Sequence, residues 1–167
     1  PPRSAEQPSA GVYVLDFGQE ISGWVRLSAR LLRACPAGAT ITLRHAETLL
    51  TPPFGPATGA IYVANLDGAR STDVYTCGDP DRVVEGWAPQ LTFHGFRYIE
   101  ISGSGLLTPP TFDDVRAELV HSSIEPTGAL TLGGGRRAQL LNSLHSNILW
   151  SQRDNLMGIP IAQNNRN

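Results

Sequence analysis

Gly23-Trp24-Val25-Arg26-Leu27-Ser28-Ala29-Arg30-Leu31 is the stretch whose reading decides the fold. Trp24, Arg26, Ser28 and Arg30 fall on one side, and Val25, Leu27, Ala29 and Leu31 on the other. A period of two with one apolar side predicts a half-buried antiparallel strand. Toward the N-terminus, Val12 to Phe17 alternates more loosely and stops at Gly18, and residues 1–10 read as a polar lead-in. Toward the C-terminus, the turn Pro36-Ala37-Gly38 leads into Thr40 to Ala46, which alternates again with Ile41 and Leu43 inward. Thr51 to Gly59 holds three prolines and two glycines and reads as a surface loop. Further strands are predicted over Thr72–Cys77 and Val115–His121, with a last short one over Gly128–Leu132. Another covers Leu91–Ile101, with a kink at Gly95 that sets Phe96, Tyr98 and Glu100 opposite Arg97, Ile99 and Ile101.

Seven or eight short strands punctuated by turns predict an all-β fold, an antiparallel sandwich or jelly roll. No helical pattern sits between the strands, which argues against a parallel α/β sheet. After Gly133-Gly134-Gly135 the period changes. Ala138, Leu141, Leu144, Ile148 and Gln152 mark a 3.6-residue stripe, which predicts one C-terminal amphipathic α-helix ended by Gly158 and Pro160. The chain thus divides into a lead-in (1–10), a β-sandwich (11–132) and a helical segment (133–167).

Composition narrows the function classes. Hydrophobic residues make up 41% of the 167 and charged residues 17%, enough apolar content for a real core. The net charge of −2 supplies no basic field for nucleic acid. No apolar run is long enough to span a bilayer. Cys35 and Cys77 make at most one disulfide and are read as two reduced thiols. Without an Asn-x-Ser/Thr site or a signal-peptide core, a cytoplasmic or bacterial setting is favoured; a signal upstream of Pro1 is compatible with the sequence.

Several short motifs dissolve on inspection. Asp16-Phe17-Gly18 spells the kinase magnesium motif, but no glycine-rich loop, strand lysine or catalytic loop can precede position 16. The histidines His45, His94, His121 and His145 show no i, i+4 pairing, so no metal site or cofactor is expected. Trp24, Trp87 and Trp150 could stack on sugar rings, against the plainer role of core packing. Arg44 with Glu47, and Arg97 with Glu100, suggest ion pairs across a sheet.

Six blocks together resemble the bacterial α-L-rhamnosidase family. They are Asp16-Phe17-Gly18-Gln19 with Gly23-Trp24-Val25; Leu43-Arg44-His45-Ala46-Glu47; Tyr62 with Ala64-Asn65-Leu66; Thr72-Asp73-Val74-Tyr75; Phe93-His94-Gly95-Phe96-Arg97-Tyr98; and Asn147-Ile148 with Trp150-Ser151-Gln152-Arg153 and Asn155. The resemblance implies a β-sandwich preceding an (α/α)6 catalytic barrel, with residues 136–158 as the barrel's opening helix. It implies a parent that removes terminal α-L-rhamnose from glycosides with inversion, using a carboxylic acid and a carboxylate base roughly 6.5–9.5 Å apart. The motif residues Asp16, Gln19, Trp24, Arg44, His45, Glu47, Asn65, Asp73, His94, Arg97, Trp150, Gln152, Arg153 and Asn155 are then expected in structural or interdomain roles.

After Pro160 the sequence departs from the family pattern. Ala162 stands where a sugar-binding aspartate is expected and Asn167 where the general acid is expected; Arg166 keeps its identity. An amide cannot donate a proton as a carboxylic acid does. The expectation is a truncated or decayed rhamnosidase-like chain that is inactive alone, with rhamnosides and a missing barrel as the parent's partners. The rival is a stand-alone carbohydrate-binding or interaction module. An uncovered helix stripe further predicts self-association or local disorder after Gly133.

Overall fold

A computed structural model describes residues 1–83 and 85–160; the expectations for Ala162, Arg166 and Asn167 lie outside the described residues. The fold is antiparallel β in sandwich-like sheets, followed by one C-terminal helix. The main sheet is ordered β1 (Ser4–Ser9), β2 (Val12–Leu27), β7 (His94–Ser102), β3 (Thr40–Ala46), β6 (Thr72–Thr76), and β8 (Val115–Leu119) also pairs with β2. A short hairpin of β4 (Thr48–Leu49) and β5 (Ile61–Tyr62) flanks it.

β2 is the spine. It runs 16 residues where the sequence pattern suggests two separate strands. Its first part pairs with β1 from Val12 to Asp16, and its last part with β8 from Gly23 to Leu27. One face carries Leu15, Val25, Leu27, Ile41, Leu43, Phe96, Ile99, Ile101 and Val115 into the main core. Each fully buried large aliphatic contributes about 1.5–3 kcal/mol. On the opposite face Val14, Ala46 and Ile61 form a smaller cluster with Tyr98.

Several expectations need correction. The strand of Gly23–Leu31 stops at Leu27, and Ala29–Ala34 is a short helix, α1. Ser28 switches the chain: its Oγ accepts from the Leu31 N–H at 3.1 Å, capping the helix, which then buries Leu31 and Leu32. The lead-in contains β1, an exposed edge strand whose polar residues carry no alternation. Phe96 lies in the same core as Ile99 and Ile101, because pairing between β2 and β7 shifts register between Asp16 and Ile21. Such an irregularity flips the faces along one strand. Residues 128–132 form no strand. Cys35 and Cys77 are joined as a disulfide, Cα to Cα 6.0 Å, which brings the end of α1 to the end of β6.

The C-terminal helix α2 runs Arg136–Asp154, ending before Gly158. Gly135 caps it without a side-chain bond, in line with the glycine-rich entry. A hairpin of β9 (Leu156–Met157) and β10 (Ile159–Pro160) follows. No helix among the described residues is long and apolar enough to cross a membrane.

Candidate functional site at the sheet–helix junction

The hand-over along β2 creates a local problem. Neither β1 nor β8 pairs with residues 17–22, so backbone groups there need other partners. Asp154 supplies one: its Oδ1 accepts from the Ser22 N–H at 3.0 Å. A carboxylate in the last turn of a helix opposes the macrodipole, so it is held there by this contact and not by helix preference. Trp150, one turn earlier, packs on the main core, and Arg153 lies over its ring at 5.2 Å. These contacts dock α2 onto β2.

Gln19, Glu20, Asn147, Trp150, Ser151 and Asp154 line a cleft of about 200 Å³ at this junction. Burial, reinforced by the nearby Glu47 and Asp154 carboxylates, pushes the Glu20 carboxyl up to about 7. Burial also raises the Asp154 carboxyl. A carboxyl poised near neutrality in a cleft has the electrostatics of a proton-transfer group. Its neighbours are committed to structure: Asp154 to Ser22, and Glu47 to the Asn65 Nδ2 donor at 3.0 Å.

Most of the remaining motif residues are engaged in ion pairs and hydrogen bonds. Asp16 takes a two-pronged bond from Arg97, Nε and Nη2 each at 2.8 Å, and also accepts from the Gly18 N–H at 2.6 Å. The Arg97 hydrogen bonds hold the Asp16 carboxyl below its usual range. Gly18, at φ +75°, takes a left-handed backbone conformation inside β2 that a residue with a side chain rarely adopts. The Trp24 Nε1 donates to Glu118 at 2.7 Å, beside the Arg26–Glu118 ion pair at 2.6 Å. A Cβ at Gly23 would collide with the Glu118 carbonyl oxygen. Arg44 pairs with Glu100 at 2.7 Å. Asn155 caps α2 and its Nδ2 donates to the Ser151 carbonyl at 2.7 Å. Gln19 donates to the Glu20 carbonyl, and Gln152 faces a second groove along α2 with His121, Ile124, Leu130, His145 and Leu149.

His45, Asp73 and His94 come together from β3, β6 and β7, although 49 positions separate the first from the last. The imidazoles stack at 4.1 Å, and Phe96 meets His45 edge-on at 5.0 Å. Burial, with His94 close by, pushes His45 down to about 3, so its ring is neutral. Sequence reasoning missed Glu20 and Asp154 although Glu20 directly follows the Asp16–Gln19 block and Asp154 lies between Arg153 and Asn155: nothing along the chain shows that a strand and a helix more than 130 positions apart bring the two carboxyls to one cleft. It also missed Asp114, which accepts from Ser28 Oγ at 2.7 Å, from Thr111 N and Oγ1 at 2.7 Å each, and from Arg30.

Comparison with known proteins fits this arrangement. The profile of the bacterial alpha-L-rhamnosidase concanavalin-like domain matches residues 6–121. The alpha-L-rhamnosidase of Streptomyces avermitilis is 39% identical over 160 residues, covering 96% of the chain and 14% of that relative. The structure of alpha-L-rhamnosidase from Dictyoglumus thermophilum superposes with a TM-score of 0.79 at 34% identity, over 95% of the chain and 16% of that protein. The Streptomyces avermitilis enzyme, solved in complex with L-rhamnose, superposes with a TM-score of 0.73 at 38% identity, over 96% and 14%. The chain therefore spans about one seventh of its relatives' length. On these matches, and with the antiparallel sheet and its appended helix in place, the chain belongs to the bacterial α-L-rhamnosidase family.

Proposed function

We propose that this chain is the scaffolding β module of an α-L-rhamnosidase-type glycoside hydrolase. In this reading the sandwich fixes the position of α2, and α2 opens the helical catalytic domain of the parent enzyme. The parent would hydrolyse terminal α-L-rhamnosides with inversion. The observation that carries the reading is α2 itself: Trp150 and Asp154 anchor its C-terminal end to the sheet and Asn142 exchanges two bonds with the Leu132 backbone, while Leu140, Leu141, Leu144, Ile148 and Leu149 stand exposed along it. A helix with that much uncovered apolar surface is built to be covered. The motif residues Asp16, Trp24, Arg44, Glu47, Asn65 and Arg97 act through ion pairs and hydrogen bonds that stiffen the platform.

Glu20 is the carboxyl most like an acid catalyst, but inverting hydrolysis needs a second carboxylate free to activate water. The acids nearest it in charge, Glu47 and Asp154, hold Asn65 and Ser22. The purified chain should therefore release no nitrophenol from p-nitrophenyl α-L-rhamnoside above the buffer rate. Turnover that disappears in Glu20→Gln overturns the scaffolding reading.

One observation favours a second reading, a sugar-binding module. The Tyr75 and Trp87 rings lie 5.2 Å apart and line an open cleft of about 600 Å³ with Asp79, Arg82 and Glu85. Aromatic faces flanked by charged groups suit a pyranose. Saturable quenching of tryptophan fluorescence by L-rhamnose, lost in Trp87→Ala, supports this reading over scaffolding alone.

A further inference from the structure

Asp73, His45 and His94 each project from the face of the sheet that builds the main core, yet none is a hydrocarbon. Their ligand atoms lie within 4.8 Å of one another. The His45 Nδ1 contacts the Ser71 carbonyl at 3.3 Å. A carbonyl only accepts, so Nδ1 carries the ring proton and Nε2 presents a lone pair. That lone pair faces the Asp73 Oδ2 at 3.7 Å, and both atoms are buried without a hydrogen-bond partner. Two acceptors facing each other in a core repel, and each has forfeited its water. The His94 Nε2 lies 3.1 Å from the other oxygen, Asp73 Oδ1.

A cation between them resolves the conflict. We propose that His45, Asp73 and His94 form a binding site for a divalent transition-metal ion of the zinc class. The donor set, two imidazole nitrogens and one carboxylate oxygen, is the type that zinc takes. Ligands about 2.0–2.2 Å from a metal stand roughly 3–3.5 Å apart, close to the spacing around Asp73. His45 has the outer partner that metal-binding histidines use: its second ring nitrogen donates to a backbone carbonyl, fixing the tautomer. His94 would bind through Nε2 and carry its ring proton on Nδ1. The three ligands come from three strands, so a bound ion pins β3, β6 and β7 together at one end of the sheet. The ion's role here is structural.

The test uses the whole chain, stripped with a chelator and titrated with Zn²⁺ alone. Calorimetry and metal analysis should give one tightly held ion per chain, and Asp73→Asn or His94→Gln should weaken binding more than about tenfold, as loss of a ligand does. Histidine-ring NMR on the unmutated chain tests the site even where those variants fail to fold. Zn²⁺ should shift the His45 and His94 ring signals and leave His121 and His145 in place. The double variant His121→Ala/His145→Ala should bind as the parent does. A folded chain that takes up no zinc, or zinc that shifts only His121 and His145, overturns the proposal.

Discussion

Asp114 leaves only 1% of its surface exposed, yet its two oxygens collect bonds from Ser28, Arg30 and Thr111. It therefore ties the end of β2 and the start of α1 to the loop before β8. Burial pushes its carboxyl up, but the bonds from Thr111, Arg30 and Ser28 outweigh burial and hold it below the usual range. A carboxylate whose folded pKa is depressed gives stability that is present above its unfolded pKa and lost as pH falls through the folded value. Asp114→Ala leaves several donors unmatched and should cost about 2–3 kcal/mol near pH 7, discounted for the exposed arginine. Urea denaturation should show that gap narrowing as pH falls below the unfolded carboxylate value of about 4 toward the lower folded one. A gap that is constant from pH 7 to pH 3 would mean that Asp114 acts by packing and not by charge. The residue scale is also where sequence reading was weakest. Trp24 reads as a sugar platform or a core ring, whereas its indole N–H is held by Glu118, a partner 94 positions away that no local spacing could reveal.

At the scale of elements, the β2–α2 junction has the opposite pH sign. Glu20 has a folded pKa of about 7, above its unfolded value near 4.5. The folded chain thus holds a proton that the unfolded chain has released. The junction is at full strength below about pH 4.5 and loses stability as pH rises through 7. Glu20→Gln removes the buried charge and should stabilise the chain by about 2 kcal/mol at pH 8, with little change at pH 4.5. Thermal melts at the two pH values check this, and stabilisation of equal size at both would remove the electrostatic explanation. The alternation in Thr40–Ala46 makes that strand legible, since it buries one face, and Val115–Leu119 follows the same period although only Val115 is fully buried. β1 was invisible because it is an exposed edge strand with no apolar face to betray its period. α1 was hidden because Ala29 and Leu31 continue the strand alternation, and only the Ser28 cap separates the two readings. The C-terminal helix was plain in the sequence, because its 3.6-residue stripe is undisturbed over most of its length.

Across the whole molecule, local periodicity marks the strands and the helix, whereas the clusters that depend on distant strands meeting leave no trace along the chain. The cluster of His45, Asp73 and His94 is the clearest case: spacing along the chain argued against it, and the sheet order made it. The same long-range logic governs α2. Its apolar residues form a helical stripe in the sequence, but the sandwich covers only the C-terminal end, leaving Leu140, the most exposed of them, at 68%. Five exposed large aliphatics along one helix exceed what an isolated chain in water normally tolerates, because each loses the burial that makes a helix stable. A second copy of the chain offers an equivalent stripe, so two copies can bury both against each other. Sedimentation of the chain alone should therefore show concentration-dependent association. Leu141→Lys, Leu144→Lys and Ile148→Lys combined should return it to monomer while leaving β-sheet circular dichroism unchanged, because none of the three touches the sheet core. A monomer at all concentrations, with slowly exchanging amides from Ala138 to Ile148, would mean that the helix is stable with its stripe in water, and the case that α2 is shaped for a partner would lose its physical basis.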